Sequence, residues 1–200
     1  MTSSAKMPKA YLELANERVN YHLNHLKKNY HQPEYFGYDF KDWVSPYTKG
    51  AHQPGGVAVI LQDWSSSEGL SGDVCPEIQE YGRTLELKTN KRLECLLQSF
   101  FGVGISGTYA TNVFPFVKEG NMSSFIPTKD IIEVSMIFLK RELEIASPKY
   151  VIGLGRKAQH ALQSLKIAHI AIPHPAARIG TIEKHRVAWE MALAGFRRDA

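Results

Sequence analysis

Four short, largely apolar runs alternate with amphipathic stretches along this chain. Val57–Leu61, Tyr109–Phe114, Tyr150–Leu154 and Ala168–Ile172 have strand length. The first, Val-Ala-Val-Ile-Leu, has no polar residue and predicts a strand covered on both faces. Between the runs, apolar residues recur every three or four positions, as in Leu93, Leu96, Leu97 and Phe100, or Ile132, Met136, Leu139 and Leu143. That period predicts helices over Thr89–Phe100 and Asp130–Ile145, the latter capped by Thr128 or Asp130, then over Arg156–Leu165 and Glu183–Phe196. A further helix is expected over residues 8–30, with Tyr11, Leu12, Ala15, Val19, Leu23 and Leu26 mostly on one face. Residues 31–56, rich in aromatics and in Pro and Gly (Pro46, Pro54, Gly55), read as an ordered segment packed over a core, and residues 65–84 as a polar loop.

Strands alternating with helices predict an α/β domain built on a mainly parallel sheet. With 200 residues, 44% of them hydrophobic, the chain can bury one sizeable core. The expectation is a single domain over residues 1–200 with an N-terminal helical extension, 1–56. No stretch is apolar for long enough to span a membrane, and the charged start lacks the apolar centre of a signal peptide. A cytoplasmic monomer without membrane contact is therefore expected. Cys75 and Cys95 are too few for an iron–sulfur cluster and read as reduced thiols. The formal charge of +4 is compatible with a polyanionic partner and decides nothing by itself.

The chemistry gathers where the apolar runs stop. In a parallel sheet, ligands bind beyond the carboxyl ends of the strands. The first run ends in Gln62-Asp63-Trp64, the second contains Asn112, the third ends in Gly153-Leu154-Gly155, and the last in Pro173-His174-Pro175. Each has an ordinary structural role open to it: Asp63 as a turn residue, Asn112 as a backbone partner, His174 as a loop histidine. Three such residues at three strand ends favour a shared site.

Tyr150–Ala158 reads strand, Gly-x-Gly-x-x-Ala, helix, which looks like a dinucleotide fingerprint. The acidic residue expected about 20 positions later is missing, because His174-Pro175-Ala176 stands there. The motif reads chiefly as a tight strand-to-helix turn whose free N–H groups can meet a phosphate. His22 and His25 share a helix face without a third ligand nearby, so no metal site is expected.

Gln62-Asp63, Thr111-Asn112-Val113, Gly153-Leu154-Gly155-Arg156-Lys157-Ala158 and His174-Pro175-Ala176, in this order, resemble the motifs of the uracil-DNA glycosylase superfamily. The likeness runs from about Val57 to Arg178. It implies a four-stranded parallel sheet flanked by helices and hydrolysis of the N-glycosidic bond of a base flipped out of DNA, with no metal or other cofactor. On that reading Asp63 faces the sugar and orients water, His174 donates to a uracil carbonyl, and Asn112 reads the base. Gln62 and Trp64 flank the base, and Leu85, in Gly82-Arg83-Thr84-Leu85, stands at the place of the family's stacking Phe, with Trp64 and Tyr81 as other rings that can stack. Gly155, Arg156, Lys157 and Arg178 are the expected DNA contacts, Arg178 either filling the gap left by the base or binding phosphate. The sequence departs from the family pattern at Leu61, where Gly is usual, and at Ser65, where some members carry Tyr. Two other functions compete: a non-catalytic nucleic-acid-binding module of the same fold, and a nucleotide-cofactor enzyme using Gly153-x-Gly155.

Overall fold

The computed structural model describes residues 9–41, 43, 45 and 55–199, so Pro46 and Pro54 of the aromatic-rich segment lie outside the described residues. The sheet has five strands rather than four, in the order β1-β3-β2-β4-β5. The parallel strands are β2 (Val57–Ser66), β3 (Tyr109–Lys118), β4 (Tyr150–Leu154) and β5 (Ile170–Ile172). The extra strand, β1 (Tyr30–His31), pairs antiparallel with the end of β3. A two-residue strand carries no hydrophobic period, so only its pairing reveals it.

Alternation along β2 divides its side chains between two cores. Ala58 and Ile60 join a cluster with α1 (Lys9–Val19), α4 (Thr128–Ile137), α5 (Leu139–Ala146) and α6 (Arg156–Ser164). Val57, Val59 and Leu61 face the opposite layer, with α3 (Lys88–Phe101) and α7 (Ile182–Asp199), where the Trp189 ring is fully enclosed. The chain thus leaves β2 toward one face, and β3 and β4 toward the other. A crevice at the carboxyl end of β2 follows from that reversal.

Three expectations change. The first helix stops at Val19, not residue 30, because side chains satisfy its terminal carbonyls: Asn20 Nδ2 donates to Asn16 O (2.9 Å) and Gln32 Nε2 to Arg18 O (2.9 Å). Leu23 and Leu26 are still buried, on irregular chain. The expected helix 130–145 is two helices that meet at Phe138, whose φ of −106° turns the axis while its amide still donates to Val134 O. The polar loop 65–84 is shorter than expected, since β2 continues to Ser66 and a short helix, α2 (Pro76–Tyr81), precedes Gly82.

The expected end of β3 at Pro115 also moves, to Lys118. Register slips there: Asp63 pairs with Phe114, but Ser65 pairs with Val117, leaving one extra residue on β3. A bulge tolerates proline, because the missing N–H falls where the ladder is already broken. The extension matters because it delivers Lys118 to the site.

Candidate active site

Asp63 is held from two sides. Gln62 Nε2 hydrogen-bonds to its Oδ1, and Lys118 Nζ donates to its Oδ2 at 2.6 Å. Both partners of the ion pair are largely enclosed, with side chains 2% (Lys118) and 6% (Asp63) exposed. The ammonium also donates to Met122 O at 2.6 Å, tying the loop after β3 to the carboxylate. No pattern in the sequence pointed to Lys118. A lysine ending an apolar run reads as a solvated cap, and its burial depends on the bulge.

His174 sits on the loop after β5, close enough to Asp63 to feel its charge. Burial lowers the pKa of the imidazole below its ordinary value, the Asp63 carboxylate opposes that shift, and His185 adds to it. The Ala176 N–H donates to Nδ1 at 3.1 Å, so the neutral ring carries its proton on Nε2, which is left to donate outward. The loop is fixed locally and from outside. Ala177 N donates to His174 O at 2.8 Å, and Arg92 Nη1, from α3, donates to Pro175 O at 2.5 Å and to His185 Nε2 at 3.1 Å. Arg92 is a second residue that sequence reasoning missed; the i→i+4 pattern of α3 assigns it no partner 83 residues away.

Gly155 explains how strand and loop come this close. Its φ is +82°, and a Cβ there would meet His174 Cβ at 3.1 Å, so a side chain would push the histidine away. A Cβ at Gly153 would meet Leu162 at 3.0 Å and His169 at 3.1 Å. The Gly155 N–H donates to Ile172 O. Packing therefore accounts for both glycines of the Gly-x-Gly turn. Lys157, in the first turn of α6, also belongs to the cluster. Burial lowers its pKa, Asp63 raises it and Lys118 lowers it.

Asn112 pairs with Leu61 across the sheet, two residues before Asp63 on the neighbouring strand. It is 2% exposed, and among the described residues neither its Oδ1 nor its Nδ2 has a hydrogen-bond partner. A buried amide without partners costs on the order of 1–3 kcal/mol. A fold that keeps such a group draws the missing bonds from outside the chain, from a ligand or an ordered water.

The other expected residues scatter. Trp64 is 7% exposed, donates its indole N–H to Gly82 O at 2.9 Å and meets Tyr38 and Phe40 edge-on, so much of the ring belongs to a third small core. Together with Ser65, Gly82, Arg83 and Met122 it also lines a cavity of about 200 Å³, to which Asp63, Asn112 and His174 do not contribute. Leu85 lies on a neighbouring cavity lined with Tyr81, Glu94 and Ser106 and by none of Asp63, Asn112 or His174. Arg156 and Arg178 are exposed, after β4 and β5 respectively. Among the described residues no three His, Cys, Asp or Glu side chains are grouped as metal ligands.

Asn112 is thus inside β3 rather than at its end, with its unpartnered amide two register positions from the Asp63 carboxylate, whose charge reaches the His174 ring. The chain matches the uracil DNA glycosylase superfamily over residues 60–193, a span that includes all of them. It belongs to that superfamily. No curated protein matches the chain. Among the described residues no helix is long and apolar enough to cross a membrane.

Proposed function

We propose that this member of the superfamily hydrolyses the N-glycosidic bond of uracil, or of a related deaminated base, flipped out of DNA. The observation that carries the reading is the Asn112 amide. It is buried and unpartnered, and offers one donor and one acceptor, the pair that the N3–H and neighbouring carbonyl of uracil require. As the bond breaks, the base leaves with the electron pair and the sugar becomes cationic at C1′. His174 donates its Nε2–H to the carbonyl oxygen where the negative charge collects. Asp63 faces the cation, orients the water that attacks C1′ and accepts its proton. Lys118 and Gln62 fix the carboxylate for this task. Arg156, Lys157, Arg178 and the N–H groups after Gly155 serve the phosphates.

One observation favours a second reading, a DNA-binding module without catalysis. The Lys118 ammonium neutralises Asp63 in the free protein, and a neutralised carboxylate stabilises a sugar cation less. The two readings part on a single assay. A labelled oligonucleotide carrying one uracil is incubated with the protein and then treated with alkali, which cleaves at abasic sites. Cleavage at the uracil is the expected result. An intact strand with uracil, hypoxanthine or xanthine, despite measurable binding, overturns the proposal in favour of the second reading.

A further inference from the structure

We propose that Phe125, flanked by Lys28 and Lys157, is a stacking platform for an unpaired base of the DNA strand next to the nucleotide held at Asp63. The inference rests on the reading of this chain as a DNA-binding protein and adds a site to it.

Phe125 is 57% exposed, yet the loop that carries it is well bonded. Gly120 N donates to Ser67 Oγ, Asn121 N to Ser124 Oγ, Ser123 N to Asn121 Oδ1, and Lys118 Nζ to Met122 O. The next residue, Ile126, is fully buried in the core. The ring is therefore presented outward by an ordered backbone, with more than half of its surface in solvent. Two ammonium groups approach it, Lys157 Nζ at 4.9 Å and Lys28 Nζ at 5.4 Å from the ring centroid. Lys28 Nζ also donates to Phe125 O at 3.0 Å.

An exposed aromatic ring with two ammonium groups over it matches a nucleotide within a strand, whose phosphates draw the ammonium groups while its base takes the ring. A purely apolar partner would leave both lysines desolvated and unpaired. The position links the platform to the chemistry. Lys157 senses the Asp63 charge, and Lys118 bonds both Asp63 and the loop. Stacking tolerates any base, so the platform would grip the strand without restricting sequence around the lesion.

The test is equilibrium binding of single-stranded oligonucleotides by wild type, Phe125→Ala and Phe125→Trp. One set carries a uracil, a second carries none, and in a third each nucleotide around the central position is replaced in turn by an abasic spacer. Stacking is worth about 1–3 kcal/mol per base, so Phe125→Ala is expected to weaken binding about 5- to 150-fold, while Phe125→Trp binds like wild type. At one spacer position wild type should fall to the affinity of Phe125→Ala, and the substitution should then cost nothing more. Equal affinities of wild type and Phe125→Ala on every strand overturn the platform, as does an equal loss at every spacer position. Ring-dependent binding without excision would remove the glycosylase reading and leave the platform standing. Excision that is insensitive to Phe125 in both binding and rate would do the reverse.

Discussion

Two buried ion pairs lie against β3, one through Thr111 and one through Lys118, and their surroundings give them different roles. Arg18 and Glu142 lie 3.5 Å apart with side chains 4% and 1% exposed, about as enclosed as Lys118 and Asp63. Arg18–Glu142 is bonded into the framework on both sides. Thr111 donates to Glu142 Oε2 at 2.8 Å, Arg18 Nη2 donates to Trp43 O at 2.7 Å, and α1, α5 and β3 close over the pair. Lys118–Asp63 sits instead at the carboxyl end of β2, near the polarised His174, Lys157 and the unpartnered Asn112. Burial and pairing alone therefore do not mark a site. What marks it is its place, the carboxyl end of β2, where the sheet topology opens a crevice beside His174 and Lys157.

The sharpest break of this comparison is on the functional pair. Asp63→Asn should slow base excision by about 10³-fold, within the range for a positioned acid–base group, and leave DNA affinity unchanged or higher. Single-turnover rates and binding isotherms measured together check this; equal rates would reduce Asp63 to a partner of Lys118.

On the structural pair the expectation reverses. Glu142→Ala leaves the Arg18 guanidinium buried without its carboxylate and should cost about 3–5 kcal/mol of stability in urea unfolding. Its excision rate, measured at a temperature where the variant is folded, should stay within about threefold of wild type. A large rate loss in the folded variant would show that the two pairs are coupled through Thr111 and Asn112.

A smaller effect is expected from Arg92→Ala, which removes the guanidinium from Pro175 O and His185 while leaving the Ala176 bond to His174 in place. The rate should fall about tenfold through misplacement of His174, with little change in affinity for DNA. Combined with His174→Ala, it should add nothing further, because both changes then act on one missing group.

The smallest expected effect is in pH. His174 and His185 both have pKa values lowered by burial, so the folded state binds fewer protons than the unfolded one as the pH falls below the ordinary histidine value of 6.5. Their contribution is complete above that pH and is lost on acidification. Stability should decline as the pH falls below about 6.5, and His185→Gln should flatten that slope. A slope unchanged by the substitution would assign the acid sensitivity to other groups.

Much of this protein was written locally. The apolar runs placed four of the five strands, because a strand buried on both faces needs an unbroken apolar stretch. The helices over α3, α6 and α7 followed from the three-to-four residue period of their buried faces. Motif order then brought Asp63, Asn112, Gly155 and His174 into one hypothesis, since a parallel sheet sends all its strand ends to one edge. Other features could not be read from adjacent residues. The first helix ends where Gln32, thirteen residues beyond Val19, captures the Arg18 carbonyl and that of Tyr21 just past the helix. Lys118 reaches Asp63 only because a bulge at Pro115 extends β3. Arg92 clamps a loop 83 residues away, and Leu85 and Trp64 line neighbouring cavities to which neither Asp63 nor His174 contributes. Hydrophobic periodicity is a local signal and survives in the sequence. The pairing of charges, the capping of helices and the burial of a lysine depend on which distant segment arrives, and that was decided only when the layers packed.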